Sequence, residues 1–312
     1  MHFYSKVRHV LRNTKLLKNL YNWLRRLFIG YSVIVSPVLF AKLRYRAIIG
    51  TWPDLKRPKS FDEKLLWLNL FWQHPLKTRC GDKYTMRSYV KENALENILP
   101  TLLGVFRSSS EIDFENLPER FVLKCTHGCG FNIICQDKRK VNIEEVKKKL
   151  DAWMKVDFSQ KYGELHYSKM KPRIICEEFL DDLESYLPSD FKVFCFDGIA
   201  HCTMVCTGRT LNGRASYDFY DLEWSAWLPY TKAGLPANRS IRKPEAYDEI
   251  ISAAKALSQP FPFVRMDFYS NKGRAVLGEM TFTPAGCIDV DISDLGQAIL
   301  GGLLKLPDRY MG

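Results

Sequence analysis

The sequence predicts an α+β fold in which antiparallel or mixed sheets follow a group of helices, with a basic amphipathic helical arm in front of both. Three observations predict it. Helix signals crowd the first third of the chain, short apolar runs bounded by turn residues fill the rest, and nearly all surplus charge sits at the N-terminus. The 312 residues are 46% hydrophobic and 26% charged, the balance of a globular chain long enough for two or three lobes on one body.

Residues 1–53 hold ten Lys or Arg and no Asp or Glu, whereas the other 36 basic residues face 35 acidic ones. The net charge of +11 is therefore no nucleic-acid signature: the body is nearly neutral, and the arm carries the attraction to an anionic partner. Within the arm Leu, Val, Tyr and Trp interleave with Lys and Arg, and an apolar run extends from Leu27 to Ala41. The run is interrupted by Gly30, Ser32, Ser36 and Pro37, and it is shorter than the roughly 20 residues a spanning helix needs. Lys42-Leu43-Arg44-Tyr45-Arg46 follows where a secretion signal would place small residues. The expectation is a cytoplasmic protein lying peripherally on the inner face of the plasma membrane. There each basic residue contributes on the order of 1 kcal/mol of attraction to anionic lipid, and the apolar side chains enter the interface. A helical pair packed on the body is the plainer alternative.

Ser60-Phe61-Asp62-Glu63 reads as a capping box opening a helix that Pro75 stops, and a second helix is expected from near Asp82. Strands are expected at FVLKC (121–125) and FNIIC (131–135), then a helix over IEEVKKKLDAWMK (143–155). Two more strand regions, RIICEEFL (173–180) and 191–207, follow; Asp197-Gly198 splits the second into a hairpin. Residues 207–242 are rich in turn residues and aromatics and receive no assignment. A helix over 244–258 precedes two strands, FVRMDFY and RAVLGEMTF, joined at Asn271-Lys272-Gly273 into an acidic hairpin that closes the pattern.

Nine cysteines in a chain without a secretion signal read as reduced, mostly buried thiols. Cys125, His127, Cys129 and Cys135 raise the question of a metal, but zinc pairs usually keep two residues between ligands. The closest spacings here, Cys125 to Cys129 and Cys202 to Cys206, keep three.

Two other patterns carry chemistry. Asp267 and Glu279 fall on adjoining strands, so pairing can bring two carboxylates together, an oxygen set suited to Mg2+ beside substrate phosphates. Arg265, two residues before Asp267 on an extended strand, shares its face. Lys124 ends one strand, and Gly128 and Gly130 lie at the tip before the next, where backbone N–H groups can approach a phosphate without a Cβ in the way. The plain readings are a surface hairpin with Arg and Asp, and glycines that only satisfy a turn.

Taken together these stretches resemble the ATP-grasp enzymes, in particular the TupA-like ATP-grasp group found in bacterial surface-polysaccharide gene sets. The resemblance runs from about Lys59 to Phe282 through FDEKLLWL, GDKYTMRSYV, LPTLLGVF, FVLKCTHGCGFNIIC, PRIICEEFL, DFKVFCFDG, FYDLEW, FPFVRMDFY and LGEMTF. It implies an ATP-grasp fold of two α+β lobes gripping ATP: a helical region at 54–118, a small lobe with the glycine loop at 119–185, and a large lobe with the metal site at 186–312. It further implies that Lys83 and Lys124 meet the α- and β-phosphates while Gly128 and Gly130 cover the β- and γ-phosphates. Glu177, Glu178, Phe179 and Leu180 would form the adenine hinge and Asp190 hold the ribose. Asp267 and Glu279, with Thr281 where the group's Glu-x-Asn motif has an amide, would hold Mg2+, and Arg265 would stabilise the reacting acyl group. His127 beside the glycines would orient substrate or γ-phosphate, or simply cap the turn. Phe131 stands where many relatives have a small residue, stiffening the loop tip and helping to exclude water.

The activity so implied is ATP-dependent carboxylate–amine ligation through an acyl-phosphate. The partners would be a lipid-linked or nucleotide-linked sugar carrying a carboxylate and an amine donor such as an amino acid, as in joining an amino acid to a uronic acid of a cell-surface polysaccharide precursor. A glycosyltransferase of the same biosynthesis, a phosphoryl-transferring kinase on the same scaffold and a non-enzymatic membrane scaffold are the rival readings.

Overall fold

The computed structural model describes residues 36–180, 189–207, 216–233 and 241–311. Most of the basic arm, residues 1–35, therefore lies outside the described residues together with most of its apolar run. The part described is helix α1 (Pro37–Ile49), which Ser36 caps by accepting the Leu39 N–H and Gly50 ends at φ 90°. Among the described residues no helix is long and apolar enough to cross a membrane.

The capping box forms as expected. Ser60 accepts the Glu63 N–H while the Glu63 carboxylate accepts the Ser60 N–H, launching α2 (Phe61–Phe71). Pro75 is not its stop: the helix ends at Phe71, and Pro75 opens α3 (Pro75–Gly81), where a missing N–H costs no hydrogen bond. Helix α4 (Met86–Glu92) begins later than Asp82, because the Asp82 carboxylate accepts the N–H groups of Tyr84 and Thr85 and holds a turn there.

Two sheets follow, each antiparallel throughout. The first contains β1 (Leu102–Phe106), β2 (Phe121–Cys125), β3 (Asn132–Cys135) and β4 (Ile174–Glu178) in the order β1-β4-β2-β3. Helices α5 (Ile143–Met154) and α6 (Phe158–Tyr162) separate β3 from β4. The second has six strands: β5 (Asp190–Phe196), β6 (Ile199–Thr207), β7 (Ser216–Asp221), β8 (Trp227–Leu228), β9 (Phe263–Asn271) and β10 (Arg274–Thr281), ordered β10-β9-β5-β6-β7-β8. Helix α7 (Tyr247–Ser258) connects β8 to β9, and α8 (Asp294–Leu303) follows the acidic hairpin, which is thus not the last element. Both predicted two-residue turns have consecutive positive φ, 48° and 76° at Asp197-Gly198 and 52° and 72° at Lys272-Gly273, as the hairpin twist demands.

The larger core lies between the six-stranded sheet and α2, α7 and α8. Phe61, fully buried at the start of α2, meets the rings of Phe194, Phe196 and Phe263 with centroids 6.1, 6.1 and 5.2 Å away. Each such side chain removed from water is worth about 1.5–3 kcal/mol, so this cluster ties the helical segment to β5 and β9. A smaller core joins α5 to the four-stranded sheet through Leu150, Leu123 and Cys176. Gly301 of α8 crosses the start of α2 so closely that a Cβ there would lie 2.4 Å from the Lys59 carbonyl oxygen and 2.8 Å from the Phe61 nitrogen. Backbone atoms cannot step aside, so Gly301→Ala is expected to destabilise the protein by about 1–3 kcal/mol, read as a lowered thermal unfolding midpoint.

Candidate functional site

The acidic hairpin places its carboxylates by means of a bulge. From the Asn271↔Arg274 end the register runs regularly to Phe268↔Leu277, then shifts at Gly278 so that Asp267 pairs with Glu279 and Arg265 with Thr281. Without the extra residue Glu279 would face the other side of the sheet. Gly278 is suited to the bulge because a Cβ would lie 2.8 Å from the Tyr269 ring and 3.3 Å from the Asp267 carbonyl oxygen.

Asp267 is buried and fully paired. Arg265 donates to both of its oxygens at 2.7 Å, and the Lys192 ammonium, from the neighbouring β5, donates to Oδ2 at 2.5 Å. Lys192 also reaches Asp190 Oδ2 at 2.9 Å, so two cations and two carboxylates alternate across β5 and β9. Burial works against charge on Arg265 and Lys192, but the carboxylates outweigh it and hold both cations above their ordinary pKa. Thr281 donates to Glu279 Oε1 at 3.3 Å, and the Lys83 ammonium lies 3.3 Å from Glu279 Oε2. Burial alone would raise the Glu279 carboxyl, yet Lys83, Lys192 and Arg265 together pull it down to about 2.

Lys83 follows the Asp82 turn and spans the gap to the glycine loop, donating to the Gly128 carbonyl at 2.8 Å. Thr126 donates to Asp82 Oδ2 at 3.0 Å, fastening the same turn to the end of β2. The two glycines serve different needs. Gly130 has φ 75° with open space around its Cα, whereas a Cβ on Gly128 would strike the rings of Phe158 and Phe131 at 2.7 and 2.9 Å. Phe131 does not cover the tip: its ring is buried, stacked on Trp153 at 5.3 Å and edge-on to Phe158 at 5.7 Å, which anchors the base of the loop in the small core. His127 is likewise buried, its Nε2 3.2 Å from the Trp153 carbonyl, and burial lowers its pKa. The neutral ring donates through Nε2, leaving Nδ1 as an acceptor without a partner among the described residues.

Between the sheets lies a cleft enclosing about 700 Å³, part of it open to solvent. Val122, Lys124, Ile134 and the stretch Glu177–Leu180 line it from the four-stranded sheet, and Tyr269, Leu277 and Gly278 from the six-stranded one. Lys124 pairs with Glu177 Oε2 at 2.7 Å, and Arg87 of α4 pairs with Glu177 Oε1 at 3.2 Å. Glu178 is engaged with β1: its N–H donates to the Thr101 carbonyl at 3.0 Å and its carboxylate accepts the Thr101 N–H at 2.7 Å. Phe179 and Leu180 line the cleft beside them.

The structure thus brings Lys83, Arg265, Asp267, Glu279, Thr281 and Asp190 into one charged corner, with Lys124, Glu177, Phe179 and Leu180 along the adjoining cleft. Lys192 and Arg87 were not singled out from the sequence. Lys192 carried a usable signal, since it stands two residues after Asp190 on a strand and so shares its face; Arg87 carried none, because its partner is 90 positions away. All nine cysteines are free thiols, and only Cys129 at the loop tip is exposed. Among the described residues no group of three or more His, Cys, Asp or Glu side chains is arranged to hold a metal.

The family described as TupA-like ATPgrasp has a model that matches residues 63–305. No curated protein matches the chain. Solved structures of similar shape include a D-alanine–D-alanine ligase from Bacillus anthracis complexed with ATP, at 12% identity and TM-score 0.46 over 72% of this chain and 65% of that one. The ATP-grasp ligase PsnB complexed with a minimal precursor is similar at 12% identity and TM-score 0.40, over 74% of this chain and 62% of that one. A D-alanine–D-alanine ligase from Helicobacter pylori is similar at 12% identity and TM-score 0.39, over 73% and 60%. The chain spans less than two thirds of the length of each.

Lys83→Met removes the nearest cation from Glu279. The carboxyl is then expected to climb from about 2 toward its ordinary 4.5, which a carbon-13 titration of the labelled glutamate checks. The sign follows from the depressed pKa: the stabilisation from ionised Glu279 is present above pH 4.5 and lost as pH falls toward 2. The substitution should shrink that acid-sensitive window.

Proposed function

Because the chain belongs to the TupA-like ATP-grasp family, we propose that it is an ATP-dependent carboxylate–amine ligase whose substrates meet at the charged corner beside the inter-sheet cleft. The observation that carries this reading is that Lys83 meets Glu279 in the charged corner while Lys124 lines the adjoining cleft, whose opposite wall includes Gly278, the neighbour of Glu279. That is an arrangement for handling a polyphosphate. ATP would lie with its base between Phe179, Leu180 and Leu277 and its phosphates between Lys124, Lys83 and the glycine loop.

The oxygen donors Asp267, Glu279 and Thr281 fit Mg2+, which takes one or two carboxylates and completes its shell with phosphate and water. When bound it would neutralise phosphate charge. Both Asp267 oxygens are held by Arg265 and Lys192, so its carboxylate becomes a ligand only as one of those cations turns to another anion. A phosphate is a suitable one. Transfer of the γ-phosphoryl group to a substrate carboxylate gives ADP and an acyl-phosphate; an amine then forms the C–N bond as phosphate leaves with the electrons of the broken C–O bond. Arg265, kept cationic by Asp267, offers its charge where negative charge develops on the acyl oxygen. His127, tied to Trp153, would hold the loop in place beside the phosphates.

The carboxylate substrate in this reading is a lipid-linked or nucleotide-linked sugar acid of a surface polysaccharide, and the amine donor an amino acid. The charge of residues 1–53, all of it basic, supports a peripheral cytoplasmic position on anionic membrane. Mg2+-dependent ATP binding is expected to weaken about ten- to a hundredfold in Lys124→Ala, the range for losing a charge-assisted hydrogen bond, measured by titration calorimetry. With uronic-acid precursors and amino acids, ADP and an amide-linked product should appear by mass. Consumption of a nucleotide sugar with ATP untouched would overturn the reading in favour of glycosyl transfer.

A further inference from the structure

Helix α1 joins the body by one face and turns the other toward solvent. Phe40, Ala41 and Tyr45 are buried. Arg44 donates to the Gly286 carbonyl at 2.6 Å, and the Phe40 ring lies against Gly163, where a Cβ would fall 2.3 Å from it. Contacts to the loop after β10 and to the end of α6 thus fix how the helix sits. The opposite stripe, Leu39, Lys42, Leu43, Arg46 and Ile49, repeats at spacings of three and four and alternates apolar with basic side chains. At the C-terminal end every residue from Arg46 to Trp52 is exposed. Ile48, Ile49 and Trp52 are 43%, 39% and 57% exposed, and the Arg46 guanidinium lies 5.9 Å from the centre of the Trp52 ring. Residues 36–59 hold six Lys or Arg and one acidic residue, Asp54, whose carboxylate accepts the N–H groups of Lys56 and Arg57 at 3.0 Å. Ile48 and Ile49 line one side of a cleft enclosing about 1230 Å³; across it Asp294 is exposed at the start of α8, which limits the cationic surface to the α1 side.

We propose that this outer face and its tip dock on an anionic lipid surface, with Ile48, Ile49 and Trp52 entering the interface and the surrounding cations at headgroup level. The inference rests on the peripheral membrane position in the reading above and names the surface that makes the contact. Charge and side-chain type choose the occupant. An exposed tryptophan beside an arginine suits the boundary between apolar chains and water, and six cations against one acid are drawn to anionic headgroups. Residues 1–35, which lead into α1, add seven Lys or Arg and no acid, so a second copy of the chain would meet this face with like charge. Because Arg44 and Phe40 tie α1 to the body, docking also sets the body's orientation on the lipid. The cleft beside the tip shares Asp289 and Ile292 with a cavity that Arg265 lines, so an approach toward the charged corner opens at the lipid surface.

The test is co-sedimentation of the full chain with vesicles of phosphatidylglycerol and phosphatidylcholine in equal parts, and with vesicles of phosphatidylcholine alone. The chain is expected to bind the anionic vesicles and to leave the neutral ones largely empty. Ile48→Ser combined with Ile49→Ser, and separately Trp52→Ala, are expected to weaken that binding about tenfold or more with the thermal midpoint unchanged. Ile199→Ser, which alters an exposed apolar side chain at the start of β6, is expected to bind like the unaltered chain. Full anionic binding in both tip variants would overturn the tip as the contact surface and leave the membrane reading to residues 1–35. Absence of binding by the full chain would overturn the membrane reading and the tip with it. Equal binding to neutral vesicles, or a lipid-free dimer that the tip variants turn into a monomer, would likewise overturn the proposal, the second by giving this face to another copy of the chain.

Discussion

The buried carboxylate of Asp267 is the constraint around which the molecule is arranged. Taking an ion of that size out of water costs several kcal/mol, which is recovered only when opposite charges meet it in good geometry. Arg265 and Lys192 meet it from its own strand and from β5, and Asp190 balances Lys192 in turn. This alternation holds only while β5 and β9 keep Lys192 opposite Asp267 and β9 and β10 keep Glu279 opposite Asp267. The register of three strands is therefore tied to one ionic cluster, and the hydrophobic faces of those strands set where Phe61 and α2 must dock.

Lys83 extends that cluster to the other sheet. One ammonium group reaches Glu279 at the edge of the six-stranded sheet and the Gly128 carbonyl in the loop of the four-stranded sheet. Its position depends on the Asp82 turn and on Thr126. The loop itself is firm at its base, where Phe131 and His127 are locked onto Trp153, and open at Gly130. A loop anchored by aromatic packing and uncrowded at its tip can adjust over a ligand without unravelling the core beneath it.

Much of this was legible in the sequence because it depends on neighbours along the chain. The capping box at Ser60, the turns at Asp197-Gly198 and Lys272-Gly273, the glycine hairpin after Lys124 and the pairing of an acidic hairpin all follow from residues a few positions apart, where local geometry leaves few choices. What sequence alone left open is what depends on register and on distant partners. Counting back from the Lys272-Gly273 turn would set Gly278, not Glu279, opposite Asp267; only the bulge, accommodated by Tyr269 against a residue without a Cβ, moves Glu279 into place. Pro75 reads equally as a stop or as a start until the helix on each side is seen. Likewise the roles of Phe131, Arg87 and Lys192 come from side chains far away in sequence, because burial and charge pairing are properties of the packed structure. The candidate residues were present in the order of the chain, and their placement beside one another was decided by the sheets that bring them together.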